Sequence, residues 1–144
     1  MHINKTTIKV RYVETDKMGI VHHSNYYAWF ELGRGEFITE SGITYRDIEE
    51  KGVMLPVLES SCKYIMGAKY EDEVIIETWI EEMNGAKIIF NYNVVRKEDK
   101  KLLAKGSTTH AFVGENFKII NIKKKKPEMW EKLQKLYTDK YYSI

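Results

Sequence analysis

Residues 73–96 read EVIIETWIEEMNGAKIIFNYNVVR. Val74, Ile76 and Ile80 fall on one side and Glu77 and Glu81 on the other, the two-residue period of a strand with one buried face. Ile88, Phe90, Tyr92 and Val94 repeat the period beyond Asn84-Gly85. That dipeptide favours a two-residue hairpin turn, whose central positions both need positive φ. The stretch therefore predicts two antiparallel strands, 73–83 and 86–96.

Toward the C-terminus, the polar segment 97–100 turns the chain into a further apolar run at 102–113. Toward the N-terminus, 53–66 is another strand candidate, and its Pro56 points to an edge or a bulge. These four segments predict a meander. Phe117 to Ile122 is a short additional strand candidate, and Pro127 suits the first position of a final helix at about 127–138 carrying Met129, Trp130, Leu133 and Leu136.

The first half opens with a strand over Thr6–Val13, in which Ile8, Val10 and Tyr12 alternate with Lys9 and Arg11. A loop over 14–25 follows. Ser24 or Asn25 then caps a long helix from Tyr26 to about Glu40, with Tyr26, Trp29 or Phe30, Gly33 and Phe37 facing inward and Gly42 as its stop. Gly33 and Gly35 each cost this helix roughly 1 kcal/mol relative to alanine. Either close packing on a sheet offsets that cost or the glycines lie on the surface. A connector helix at 44–51 has Thr44 and Asp47 at capping-box spacing and Gly52 at its end. The order of elements predicts an α+β fold: a long central helix wrapped by a curved antiparallel sheet of five or six strands.

The 144 residues suit a single domain over 1–144, large enough to bury roughly 70% of its unfolded surface without disulfides or metal. Hydrophobic residues at 43% and charged residues at 31% argue against disorder. No apolar run approaches the roughly 20 residues that cross a bilayer, and no signal-peptide pattern opens the chain, so a cytoplasmic location is expected. Cys62 is the only cysteine, which excludes an internal disulfide and a thiolate metal cluster. The basic excess is confined to residues 73–144 and includes Lys123–Lys126. A phosphate-bearing ligand or a solvated surface accounts for that run, and no nucleic-acid motif accompanies it. Ile75, Trp79, Ile89 and Val95 give strands 73–83 and 86–96 a second apolar side. Cover for it is expected from the final helix and a second subunit, which predicts a homo-oligomer.

Residues 11–27, RYVETDKMGIVHHSNYY, carry the chemistry. Asp16 stands in a loop a few residues before a helix start. Free N–H groups there favour an oxyanion, and a nearby carboxylate suits a nucleophile or general base toward the carbonyl they polarise. On spacing alone, a turn or capping residue is the favoured reading of Asp16. The segment resembles the signature of the 4-hydroxybenzoyl-CoA thioesterase family of hotdog-fold proteins, in particular its YbgC-like acyl-CoA thioesterases. The shared frame is R-Y-x-E-T-D-x-x-G-I-V-x-H-x-N-Y, continuing through Tyr27, Phe30, Glu31 and Arg34. Fainter likeness extends through Pro56-Val57, residues 64–72 and residues 104–113.

The resemblance implies a hotdog fold with active sites where two subunits meet, in a homodimer or homotetramer. It implies hydrolysis of an acyl-CoA thioester, with Asp16 as the catalytic carboxylate, His23 at the helix start facing the thioester oxygen, and Tyr12 shaping the site. Tyr26, Trp29, Phe30, Leu55 and Val57 are expected to line the acyl pocket, or equally to be core. Neither cofactor nor metal is implied, coenzyme A being part of the substrate. An acyl carrier protein is an alternative acyl donor, and a non-catalytic acyl-binding module is the alternative to an enzyme. His22 and His23 lack metal-ligand spacing, and Ser60, Ser61 and Cys62 lack a nucleophile elbow. Glu31 and Glu36, on the central helix, match the position of the catalytic glutamate in another hotdog branch, but Asp16 has the better motif.

Overall fold

The computed structural model describes residues 1–138, so residues 139–144 of the expected domain lie outside the described residues. Five strands, β1 (Asn4–Lys9), β2 (Val57–Tyr64), β3 (Glu73–Met83), β4 (Lys87–Arg96) and β5 (Leu102–Ala111), form one sheet in the order β1-β3-β4-β5-β2. Every pairing is antiparallel. Four helices accompany it among the described residues: α1 (Asn25–Glu40), α2 (Tyr45–Glu50), α3 (Ile122–Lys125) and α4 (Pro127–Thr138). None is long and apolar enough to cross a membrane.

The alternation in β3 and β4 sorts side chains as expected. Val74, Ile76, Ile80, Ile88, Phe90, Tyr92 and Val94 are buried and share one core with Phe30, Phe37 and Ile38 of α1. Two small residues bring helix and sheet together. A Cβ at Gly33 would lie 2.5 Å from Thr78 Oγ1 and 2.9 Å from Ile76 Cγ2, so the helix backbone rests directly on β3. A Cβ at Gly106 would lie 2.3 Å from the Phe30 ring, which fills that notch and stacks on Tyr92 at 4.3 Å between centroids. Gly33 thus packs on the sheet, whereas Gly35 has only Tyr45 near it, at 4.0 Å.

Thr44 and Asp47 form the expected reciprocal cap of α2, and Gly42 and Gly52 follow α1 and α2 with positive φ. β2 begins only after Pro56, lies at the sheet edge and has a register shift between Val57 and Glu59. α4 buries Met129, Trp130 and Leu133 in the same core as α1, so it leaves Ile75, Trp79, Ile89 and Val95 outside that core.

Three local expectations fail for physical reasons. The first strand stops at Lys9, because Glu14 folds back onto the Arg11 N–H and winds Tyr12–Glu14 into a 3-10 turn. The β3–β4 turn does not use positive φ at Asn84 or Gly85; the Asn84 carboxamide oxygen instead accepts the N–H groups of Ala86 and Lys87, 2.9 Å each. Phe117–Ile122 is not a strand. Asn116 and Phe117 take left-handed φ, only the bridge Val113–Ile119 forms, and Asn121 caps α3, which takes up Lys123–Lys125.

Candidate active site

Between β1 and α1 the chain doubles back on itself. Thr15 bridges to Val21, the Asp16 N–H reaches the Ile20 carbonyl at 2.8 Å, and Gly19 turns the loop tip at φ +81°. Asp16 sits half-buried in that turn. One carboxylate oxygen accepts the Met18 N–H at 2.8 Å, and the second has no hydrogen-bond partner among the described residues.

At the start of α1 the expected side-chain cap is not made. Ser24 turns its hydroxyl to His22 Nδ1 at 2.8 Å, and Asn25 sends its carboxamide back to the Glu14 carbonyl at 2.9 Å. The His23 carbonyl accepts the Tyr26 N–H at 3.2 Å. Among the described residues, nothing accepts the His23 N–H. The Ser24 N–H reaches His22 Nδ1 at 3.3 Å and the Asn25 N–H the His22 carbonyl at 3.0 Å, so it is the His23 N–H that is left as a donor beside the positive end of the helix dipole.

Asp16 and His23 line one cavity of about 220 Å³, with Tyr26 at its wall. The other walls come from Met18, Ile20 and Val21 of the loop and from Tyr64, Ile65, Met66 and Gly67 at the end of β2. Tyr64 meets the rings of Tyr26 at 5.2 Å and His23 at 6.1 Å. Burial pushes up the Tyr26 hydroxyl and the nearby Cys62 thiol, so both stay protonated at neutral pH.

The remaining sequence candidates lie elsewhere. Tyr12 is 75% exposed on its 3-10 turn and meets Tyr70 edge-on, away from the cavity lining. Trp29 and Phe30 are buried in the core. Leu55 borders two other hollows, one of about 640 Å³ shared with Glu31, Arg34 and Tyr45. Val57 is exposed at the start of the edge strand.

Sequence reasoning gave no role to Glu14, which is buried. Burial opposes its charge, but the Arg11 N–H, the Trp29 indole and the Arg11 guanidinium hold its carboxyl below the usual range. It also missed the Tyr64–Gly67 wall, for which the likeness over residues 64–72 was the available signal.

Comparison with known proteins identifies the family to which this fold belongs. Residues 10–135 match the model of the thioesterase-like superfamily. The chain is 40% identical over 129 residues to the candidate acyl-CoA thioesterase YneP of Bacillus subtilis (strain 168), covering 89% of this chain and 93% of YneP. It is 31% identical over 90 residues to the acyl-CoA thioesterase YbgC of Haemophilus influenzae, covering 62% and 66%. The crystal structure of DHNA-CoA thioesterase from Staphylococcus aureus superposes with a TM-score of 0.92 at 30% identity, covering 100% of this chain and 97% of that one. The protein therefore belongs to the thioesterase-like superfamily and is a thioester hydrolase of hotdog fold.

Proposed function

We propose that this protein hydrolyses acyl-CoA thioesters, with Asp16 and the His23 N–H as its working pair. The observation that carries the reading is their meeting in one cavity: Asp16, with one unengaged carboxylate oxygen, and His23, with an unengaged backbone N–H, line the same space. The thioester oxygen takes the His23 N–H, which stabilises the negative charge that builds there; such donors are typically worth 100-fold or more in rate. Asp16 either attacks the carbonyl carbon or removes a proton from a water that does. The carbon–sulfur bond then breaks, coenzyme A leaves as thiolate and takes up a proton, and the acid is released. If Asp16 attacks directly, water hydrolyses the resulting anhydride in a second step.

The acyl-CoA thioesterase names of YneP and YbgC support the substrate class. Acyl carrier protein is the alternative acyl donor, supported by the lysines of α3, which suit an acidic carrier. The exposed β2 edge supports assembly as a homodimer, with the cavity where the copies meet.

The test is thiol release from acetyl-, butyryl-, palmitoyl- and benzoyl-CoA and from acyl carrier protein loaded with the same groups. Asp16→Ala is expected to lower kcat at least about 100-fold with the fold intact. His23→Ala keeps the backbone N–H and loses less. Hydrolysis unchanged in Asp16→Ala removes the assignment.

A further inference from the structure

We propose that Glu14 is a positioning residue whose buried carboxylate locks the Asp16 loop onto α1 and thereby sets Asp16 against the His23 N–H. This rests on the roles proposed above for those two groups. Glu14 stands at the junction between them. Asp16 follows two residues later in the chain, and the Glu14 carbonyl accepts the N–H of His22, the neighbour of His23, at 2.8 Å. The same carbonyl takes the carboxamide of Asn25, the first residue of α1.

The side chain supplies the lock. One oxygen accepts the Arg11 N–H at 2.9 Å; the other accepts the Trp29 indole N–H at 2.8 Å and the Arg11 guanidinium at 3.4 Å. A cap for the 3-10 turn needs only the first of these bonds. The second oxygen reaches a different element, and Trp29 is itself held in the core between α1 and the sheet. With 3% of its surface exposed, Glu14 is costly to keep charged unless its donors are fixed.

Glu14 is not an alternative base. Both its oxygens are engaged, and it does not line the cavity that holds Asp16. The two carboxylates thus divide the work: one is consumed by donors and fixes geometry, the other keeps an oxygen for the substrate. Rate depends steeply on such geometry, a displacement of about 1 Å being able to cost about 100-fold.

Glutamine at position 14 has one acceptor oxygen for three donors and turns its NH2 toward one of them. Glu14→Gln is expected to lower kcat per folded molecule about ten-fold or more, with KM within about three-fold, while the unfolding midpoint falls because a buried NH2 then faces another donor. Trp29→Phe removes the indole donor but keeps a ring, so its kcat falls too. The losses in the double variant should be less than the product of the two single losses, because both changes act on the same group of bonds. The Trp29 indole N–H proton resonance should move upfield in Glu14→Gln.

Each outcome of this set is decisive when measured beside Asp16→Ala on the fastest thioester of the panel above. Wild-type kcat in Glu14→Gln, with Asp16→Ala inactive, overturns the positioning role alone. Losses that vanish once activity is normalised to the folded fraction also overturn it, since they mark a merely structural part. If Glu14→Gln does not fold, Trp29→Phe decides, and an unchanged kcat there rejects the proposal. Wild-type kcat in Asp16→Ala overturns this role together with the reading it rests on.

Discussion

The hydroxyl of Tyr64, at the end of edge strand β2, donates to the carbonyl of His23 at 3.2 Å. This bond joins the sheet edge to the helix start and fixes the wall opposite Asp16. A single hydrogen bond of this kind contributes about 1 kcal/mol net, which corresponds to about five-fold in rate if it acts on the reacting geometry. Tyr64→Phe should therefore lower kcat/KM by about that factor in a thiol-release assay while lowering the thermal midpoint by no more than about 4 °C. Full retention of kcat/KM would show that the wall does not depend on this bond.

Gly33 and Gly35 lie two residues apart on α1 and should respond to alanine in opposite directions. At Gly33 the new methyl meets the β-branched side chains of Thr78 and Ile76 on a central strand, neither of which has space to move. Overpacking of this sort costs about 1–3 kcal/mol. At Gly35 the methyl meets no atom closer than 4.0 Å, and the gain in helix propensity is up to about 1 kcal/mol. Urea titrations of Gly33→Ala and Gly35→Ala check this, and midpoints that shift the same way refute it.

The fold was legible where one face of an element is buried throughout. The period of β3 and β4 set their faces and pairing, and Thr44 with Asp47 marked a helix start by local chemistry alone. Periodicity misled where the chain turns before the pattern ends: Tyr12 continues the alternation of Ile8 and Val10, yet Glu14 has already pulled the backbone into a turn. In the site, Asp16, His23 and Tyr26 come from one continuous stretch and were readable together. Their opposing wall lies 41 residues away in the Tyr64–His23 pair, a separation that no local spacing encodes. Val57, Leu55 and Phe30 illustrate the same limit, since apolar character alone does not distinguish core, edge and pocket.

A chain of hydrogen bonds predicts how stability falls in acid. Arg34 Nη1 donates to the Tyr92 hydroxyl at 3.2 Å, Tyr92 and Thr108 share a bond of 2.6 Å, and Thr108 and His110 Nε2 one of 2.8 Å. With Tyr92 donating to Thr108 and Thr108 to His110, the far ring nitrogen donates to the Leu55 carbonyl at 3.1 Å. That direction requires neutral imidazole. Burial, with the Arg34 charge adding to it, pushes His110 down to about 4. Unfolded histidine titrates near 6.5, so between these values the unfolded chain binds the extra proton. Stability is thus lost as pH falls from about 6.5 to about 4, by at most about 3 kcal/mol from this residue. Urea midpoints at pH 7 and pH 4.5 should drop further for the native protein than for His110→Gln; equal drops would exclude His110 as the source.

The edge strand predicts the register in which two copies join. Every residue of β2 except Cys62 is exposed, and among the described residues β2 has a neighbouring strand on one side only. An open edge of this length invites pairing with another chain unless charge or a bulge blocks it. Here the charged residues are Glu59 and Lys63, of opposite sign and equally distant from Ser61. A two-fold axis through Ser61 pairs the strand antiparallel with its copy and sets Glu59 of one protomer against Lys63 of the other, twice per dimer. The same pairing would lay the second copy beside Tyr64, Ile65 and Met66, which line the cavity that holds Asp16. Sedimentation should give the mass of at least two copies. Lys63→Glu should shift the protein toward monomer and lower kcat/KM, and adding Glu59→Lys should restore both by exchanging the charges. A wild-type monomer with full activity, or a double variant as dissociated as Lys63→Glu, would refute the register.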